Sequence, residues 1–266
     1  AVLAGTINAG SNKITKIGGS TLFLTGTGEN GTAANTTGGW DIMAGAVEVR
    51  MSDGSSNPLG SAAMNITLNG GSTLNIRHDG DNLADPETLT TFSNQNLVIG
   101  SLAAASSANY LDSVNVTISL QSRNNGSNKT AQFNQLQFGG PLGAAFLSQN
   151  TGNNYSTEFV NGLTMIKNAY LSLNQVAMTI DSQLSGNGTL FKQGGAELDI
   201  NTNATNTGGT VVAAGTLNFA SFAGNTPTLN DTATLSAGNI TVQPGGLIRF
   251  NSLNNQFEDL FKSGIV

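Results

Sequence analysis

The sequence predicts an all-β protein built from short, stacked strand-and-turn units. Charged residues make up only 10% of the 266-residue chain, less than half of the roughly 25% found in an average soluble protein. The chain has 34 glycines, and its remaining polarity comes mainly from Asn, Thr and Ser, which favour turns or compete with the helical backbone. Short segments of alternating apolar and polar residues recur between these turn residues, as expected for strands.

Two copies of one phrase indicate how the strands are arranged. The first reads "ITKIGGSTLFLTGTG…TTGGWDIMAGAVEV", and the second reads "TLFKQGGAELDINTN…NTGGTVVAAGTLNF". Lys16 aligns with Lys192 at an offset of 176 (192 − 16), whereas Gly38 aligns with Gly208 at an offset of 170 (208 − 38). The first copy therefore contains a loop six residues longer (176 − 170), and such differences belong in surface loops. Recurrent units that cannot bury a face alone predict a solenoid.

The alternation within each copy predicts which side chains face the core. Side chains two residues apart lie on the same face of a strand. The residues expected to be buried are Leu22, Leu24, Ile42, Val47, Leu198, Ile200, Val212 and Leu217. Thr21 and Phe23 are expected to face outward, as are Trp40 and its counterpart Thr210. Paired glycines are expected at the corners between strands.

The second copy, "LFKQGGAELDIN…TGGTVVAAGTLNF", resembles the autotransporter-associated β-strand repeat of bacterial passenger domains. "NPLGSAAMNITLNGGSTLNI" (57–76) also resembles the segment that commonly follows this repeat. The resemblance implies a right-handed, pectin-lyase-like parallel β-helix at the extracellular or outer-membrane surface of a Gram-negative-type bacterium. The sequence departs from the family's Lys-x-Gly-x-Gly pattern, because "KIGGS" and "KQGGA" shift the second glycine by one residue.

The chain is expected to form one β-solenoid domain, residues 1–266, as a fragment of a longer protein. Residues 80–165 form an irregular, insertion-rich middle region. There we expect a strand at 96–99, two strands flanking a polar turn or hairpin within 111–138, and a long loop at 139–162. Regular strands resume at Leu163. A short C-terminal helix is predicted from the helical spacing of Leu253, Phe257, Leu260 and Phe261, and a further strand leading into another domain is the alternative.

Acidic residues cluster in "RHDGDNLADPE", which includes the only histidine, His78. Oxygen ligands on a glycine-containing loop are suited to Ca²⁺, and the candidate ligands are Asp79, Asp81, Asp85 and Glu87. The spacing matches neither an EF-hand nor a calcium-binding β-roll. It therefore favours a solvated acidic loop over a calcium site, and no other cofactor is expected. A single histidine on such a loop is poor evidence for a nucleophilic triad.

Paired carboxylates are the feature that would indicate a polysaccharide-processing enzyme. The candidates are Asp41, Glu48, Glu197 and Asp199. Glu197 and Asp199 share one face of a strand, yet their counterparts in the first copy are Thr21 and Phe23. The pair is therefore not part of the repeat, and we expect no enzymatic activity.

The remaining composition limits the partners. The net charge of −6 and the scarcity of basic residues argue against nucleic-acid binding. No apolar run is long enough for membrane insertion. The chain has no cysteine, so it has neither disulfides nor thiolate metal sites. Trp40 is a candidate carbohydrate contact, alone or with Tyr110 and Tyr155, but packing of its ring under a loop is the favoured interpretation.

These features predict a non-catalytic extracellular structural or adhesive solenoid, such as a stalk, coat or filament component. Its expected partners are other copies of itself, neighbouring domains of a longer chain, or a cell-surface polysaccharide. A polysaccharide-processing enzyme and a carbohydrate-binding module are the alternatives.

Overall fold

The computed structural model describes residues 7–25, 34–51, 57–60, 62–79, 88–89, 92–100, 114–123, 126–139, 145–201, 204–219 and 238–250. These residues form 25 strands and no α-helix, which confirms the expected all-β fold. No helix long and apolar enough to cross a bilayer occurs among them. The predicted C-terminal helix lies outside the described residues.

Nearly all of the described strands belong to three parallel sheets. The first sheet contains β2 (Ile14–Lys16), β5 (Trp40–Ile42), β7 (Met64–Leu68), β10 (Gln95–Ile99), β13 (Leu136–Phe138), β16 (Leu163–Met165) and β19 (Leu184–Gly186). The second contains β3 (Thr21–Thr25), β6 (Ala46–Met51), β8 (Thr73–His78), β11 (Val114–Gln121), β14 (Ala145–Thr151), β17 (Ala169–Leu173), β20 (Leu190–Gln193), β22 (Thr210–Val212) and β24 (Ile240–Val242). The third contains β9 (Thr88–Leu89), β12 (Thr130–Phe133), β15 (Ser156–Phe159), β18 (Met178–Ile180), β21 (Glu197–Ile200), β23 (Gly215–Phe219) and β25 (Gly246–Phe250). A separate pair consists of β1 (Ile7–Gly10) and β4 (Ala34–Thr36).

From β7 to β21 the chain passes through the first, second and third sheets repeatedly, in that order. We call one such passage a rung. Each strand lies parallel to its counterpart in the next rung, so that Leu198 pairs with Leu217 and Trp40 with Ile66. A tight hairpin cannot join parallel neighbours. The chain therefore passes through the other two sheets before it returns to pair with the same sheet, and strands that are consecutive in sequence lie in different sheets.

The core consists of the side chains at alternate strand positions. Seven of the eight residues expected to be buried are so, with at most 1% exposure: Leu24, Ile42, Val47, Leu198, Ile200, Val212 and Leu217. The eighth, Leu22, is partly buried and packs against them. Similar side chains stack from rung to rung, as in Phe92, Phe133 and Phe159, whose ring centroids are 5.4 and 5.6 Å apart. The predicted inward placement of these eight residues is therefore confirmed.

The middle region is more regular than expected. The prediction of a long loop at 139–162 is wrong where β14 and β15 lie. Two strands occur within 111–138 as expected, but they do not form a hairpin. β11 and β12 belong to different sheets and pair with neighbouring rungs instead. Parallel neighbours on both sides supply the backbone hydrogen bonds of these strands, which overrides their turn-rich composition. The strand expected at 96–99 is confirmed as β10.

The repeated phrase builds one corner of the fold in both places. Nζ of Lys16 donates hydrogen bonds to the carbonyl oxygens of Ile17, Gly18 and Ala44, at 3.0, 2.6 and 3.0 Å. Nζ of Lys192 does the same for Gln193, Gly194 and Ala214, at 2.9, 2.8 and 3.0 Å. Each ammonium group thus holds the corner of its own rung to the corner of the next rung.

Glycine is required at this corner. Gly45 and Gly215 both have φ of 70°, a backbone conformation that residues other than glycine rarely adopt. A Cβ atom at either position would lie closer than 3.0 Å to the backbone carbonyl of the preceding rung's corner. The phrase therefore occurs twice because two rungs contain the same corner, which requires a glycine and a lysine that donates to the corner carbonyls.

Candidate functional site on the outward face of the third sheet

The sequence candidates for paired carboxylates lie in three different sheets. Asp41 is in the first sheet, where its Oδ1 accepts a hydrogen bond of 2.6 Å from Asn69 Nδ2. Glu48 is in the second sheet, where it forms an ion pair of 2.6 Å with Arg50 Nε. Glu197 and Asp199 are both on β21, so the structure brings together only these two of the four candidates.

Two further carboxylates, which the sequence reasoning missed, lie on the same face of the third sheet. Glu158 is on β15, and Asp181 directly follows β18. Glu158 lies beside Thr179, and Thr179 lies beside Asp199 in the next rung. We call the set Glu158, Asp181, Glu197 and Asp199 the carboxylate face. A spacing of about twenty residues between acidic positions of successive short rungs is the signal that would have found it.

Burial and a neighbouring carboxyl group raise the pKa of two of these carboxyl groups, Glu158 and Asp199. Burial is the main cause that raises the pKa of Glu158 to about 7. A hydrogen bond with Asp181 raises it further, while the amide of Gln132, which donates to Glu158 at 2.8 Å, opposes the shift. Each proton retained in such a pair relieves the repulsion between two carboxylates.

Asp199 behaves similarly. Burial raises the pKa of Asp199 to about 6, against a hydrogen bond of 2.7 Å from Asn218 Nδ2. The neighbouring Glu197 raises this pKa further, and the charge of Arg249 lowers it. Arg249 Nη1 forms an ion pair of 2.6 Å with Glu197 Oε2. The carboxylate face thus consists of two acid pairs, Glu158 with Asp181 and Glu197 with Asp199, each held by neighbouring polar side chains.

Several other polar side chains on the outward faces are also joined from rung to rung. Asn96 Nδ2 donates to Asn65 Oδ1 at 2.9 Å, and Asn134 Nδ2 donates to Asn96 Oδ1 at 2.6 Å. Asn161 extends this ladder by a bond to Asn134. A hydroxyl pair of the same kind joins Thr130 and Ser156 at 2.7 Å. Amide and hydroxyl groups therefore satisfy one another along the stack of rungs.

The candidate calcium ligands are only partly described. Asp79 Oδ1 accepts a hydrogen bond of 2.8 Å from the backbone N–H of Arg123. Asp81, Asp85 and Glu87 lie outside the described residues. Within the part of the chain that the structure describes, no group of three or more His, Cys, Asp or Glu residues could hold a metal ion. The calcium site stays a prediction.

His78 belongs to the core and not to an open cleft. Its side chain has 0% exposure, and its ring meets that of Phe92 edge-on at a centroid distance of 6.3 Å. The backbone carbonyl of His78 accepts a hydrogen bond from the Tyr155 hydroxyl. A ring in this position has no access to a substrate in solvent.

The expectation that Trp40 faces outward is wrong. Trp40 has 0% exposure, and its Nε1 donates a hydrogen bond of 2.9 Å to the carbonyl of Leu59. It lies two residues before the buried Ile42 and therefore shares the inward face. Its counterpart Thr210 is likewise buried, as is Tyr155, so neither aromatic ring is presented to a sugar; Tyr110 lies outside the described residues.

Comparisons of the chain with protein-family models, curated proteins and solved structures found no match. The function is therefore argued from the residues and their geometry. The likeness to the autotransporter-associated repeat remains a prediction from the repeated phrase.

Proposed function

We propose that this chain is a non-catalytic structural or adhesive β-solenoid, a right-handed parallel β-helix that works by its shape and assembly. The observation that carries this proposal is the hydrogen bonding of outward polar side chains to one another from rung to rung. The ladder of Asn65, Asn96, Asn134 and Asn161 is the longest example. Side chains joined in this way stabilise the stack, and their hydrogen-bonding groups are used within the protein.

The repeated phrase supports the same proposal. The charged side chain that both copies share is a lysine, and both Lys16 and Lys192 donate to three backbone carbonyls. Its glycines are required by backbone conformation and close approach. The lysine and the glycines that the two copies share are therefore explained by the construction of a corner.

The resemblance to the autotransporter-associated repeat supports a location at the extracellular or outer-membrane surface of a Gram-negative-type bacterium. A passenger domain there would contact other domains of its own chain or other copies. The exposed apolar side chains of Val242 on β24 and Leu247 on β25 favour such a contact, because they are 47% and 52% exposed. Unpaired edges of parallel strands also recruit further strands.

The test is the mass of the purified 266-residue chain, measured by light scattering over a hundredfold range of concentration, with electron microscopy of the same samples. We expect the mass to rise with concentration and end-to-end particles to appear, because head-to-tail contacts that do not close give open fibres. A monomer of constant mass at every concentration would contradict self-association and leave attachment to neighbouring domains as the role of the ends.

A polysaccharide-processing enzyme is the second candidate, and the carboxylate face favours it. Glu158 and Asp199 are separated by one intervening strand, which places their backbones about 10 Å apart, and burial raises their pKa values to about 7 and about 6. Inverting glycosidases use carboxyl groups roughly 6.5–9.5 Å apart. Within each acid pair, by contrast, the carboxyl groups contact each other and are too close for this chemistry.

Assays of polysaccharide cleavage by the wild-type chain and by the Glu158→Gln and Asp199→Asn variants distinguish the two candidates. The structural proposal expects no cleavage of neutral or acidic polysaccharides by any of them. Cleavage by the wild type that both variants lose, with unchanged circular dichroism and with full activity in Asp41→Asn, would replace the structural proposal by the enzymatic one.

A further inference from the structure

A groove of about 390 Å³ lies on the outward face of the second sheet, remote in sequence from the carboxylate face. The residues that line it are Glu48, Arg50, Arg77, Gln121, Ser122 and Arg123. The chain has four arginines, and three of them are in this set. In a protein of net charge −6, such a concentration of guanidinium groups makes this groove locally cationic.

The register places two of these arginines directly against each other. Arg50 on β6 pairs with Arg77 on β8, and Arg77 pairs with Gln121 on β11. Like charges directly opposite on neighbouring strands destabilise a sheet. Burial is the main cause that lowers the pKa of Arg77, the charge of Glu48 raises it, and the charge of Arg50 lowers it by less. Glu48 therefore offsets the repulsion between the two arginines, and an anion bound beside Arg77 would oppose the effect of burial.

Neighbouring groups hold the two arginines in place. Arg50 Nε donates to Glu48 Oε1 at 2.6 Å, and its guanidinium lies 4.4 Å from the ring centroid of Phe23. Arg77 Nη1 donates to the carbonyls of Ile76 and Ser119, both at 3.2 Å. Side chains that are already fixed lose little entropy when a ligand binds.

The exposure of the ion pair is asymmetric. The Arg50 side chain is 43% exposed, whereas that of Glu48 is only 14% exposed. The cation therefore reaches the solvent, and the carboxylate that orients it lies beneath. A planar guanidinium presented in this way matches the two oxygens of a carboxylate.

We propose that this groove binds the carboxylate groups of an acidic polysaccharide. Arg50 and Arg77 lie on adjacent strands about 4.8 Å apart, close enough to hold one carboxylate between them. Gln121 and Ser122 offer an amide and a hydroxyl group to the neighbouring sugar hydroxyls, which a site for a bare inorganic anion would not need. The volume of the groove is within the range of roughly 300–1,000 Å³ for ligand sites. Binding at this groove is compatible with the structural role proposed above and does not depend on self-association.

The experiment is isothermal titration calorimetry of the full chain at low ionic strength. The probe is a galacturonic acid oligomer of defined length, and the comparison ligand is a neutral glucose oligomer of the same length. We expect binding of the acidic oligomer alone, weakened by added salt. Arg50→Gln and Arg77→Gln should each weaken it by about tenfold or more, since each removes a charge-assisted hydrogen bond.

Arg249→Gln is the matched control, because it removes the same charge from the one arginine outside the groove. It should retain the wild-type affinity. Arg50→Lys keeps the charge but not the planar fork and should bind less tightly than the wild type. If Arg77→Gln does not fold, Arg50→Gln and Arg50→Lys still decide the outcome.

Three results would overturn the proposal: equal binding of the neutral oligomer, an equal loss of affinity in Arg249→Gln, or no binding at all. Inorganic phosphate is a further competitor. Displacement of the acidic oligomer by phosphate at equal concentration would show a simple oxyanion site and contradict recognition of a saccharide.

Discussion

The two copies of the repeated phrase share a backbone but differ in their surroundings. Lys16 and Lys192 bind three carbonyls each in the same pattern. Lys192, however, has 0% exposure and burial lowers its pKa to about 8, whereas Lys16 is half-buried. At the aligned inward position the first copy has Trp40 and the second has Thr210. The phrase therefore specifies a corner, whereas the size and burial of the side chains around that corner differ between the two copies.

The largest difference between the copies should appear at the aligned inward position. We expect Trp40→Ala to lower the free energy of unfolding by about 3–5 kcal/mol, because it leaves a large cavity and removes the hydrogen bond to Leu59. Thr210→Ala removes far less volume and should cost about 1 kcal/mol. Urea unfolding followed by circular dichroism measures both, and equal losses would contradict the buried placement of Trp40.

The second largest difference between the copies should be the effect of replacing the corner lysine on the free energy of unfolding. Lys192→Met leaves buried carbonyls without their donor, so it should lower the free energy of unfolding by about 2–4 kcal/mol. Lys16→Met should cost about 1 kcal/mol or less, because water can replace the ammonium group at a half-buried corner. Lys13→Met, at an exposed position, is the control with the same change of charge. A larger effect at Lys16 than at Lys192 would be incompatible with their different burial.

The carboxylate face extends the comparison, because Glu197 and Asp199 in the second copy align with Thr21 and Phe23 in the first copy. The folded-state pKa values of Glu158 and Asp199, about 7 and about 6, lie above their ordinary values of 4.5 and 3.8. The folded state therefore binds more protons than the unfolded state, and stability falls as the pH rises from about 4 to 7. At pH 8, Glu158→Gln and Asp199→Asn should each stabilise the protein by on the order of 1 kcal/mol, after allowance for solvent screening.

Thermal unfolding between pH 4 and pH 8 checks this prediction. The gain in each variant should shrink towards pH 4, where the wild-type carboxyl groups are protonated. Asp41→Asn, on the first sheet, is the control for the loss of one acidic group. Variants that follow the wild-type profile at every pH would show that these carboxyl groups titrate normally.

Much of the fold could be predicted because alternation along a strand is a local property. The inward positions of Leu198 and Ile200 follow from their spacing of two residues. The same rule would have placed Trp40 beside Ile42 on the inward face, but the comparison with Thr210 suggested a solvated position instead. The strand β14 was missed because glycine and asparagine dominate its surroundings, and its partners β11 and β17 are distant in sequence.

The carboxylate face and the groove lined by Arg50 and Arg77 could not be predicted, because the register between rungs of unequal length creates them. Arg50 and Arg77 are 27 residues apart (77 − 50) and Arg77 and Arg123 are 46 apart (123 − 77), so no sequence window contains a basic cluster. Glu158 and Asp199 likewise meet only through the intervening Thr179. Rung length depends on loops that carry no periodic signal, and one inserted residue changes which side chains become neighbours.

Disulfide formation between engineered cysteines tests the central claim, the parallel stacking of rungs in the stated register. The chain has no native cysteine, and Thr130 and Ser156 are paired in adjacent rungs with their hydroxyl oxygens 2.7 Å apart. Thr130→Cys with Ser156→Cys should therefore oxidise to a disulfide in nearly every molecule, as read by mass spectrometry of non-reduced peptides. Thr130→Cys with Glu158→Cys is displaced by two residues, about 8 Å between Cα atoms, and should remain reduced. Oxidation of the displaced pair instead of the paired one, or of neither, would contradict the account.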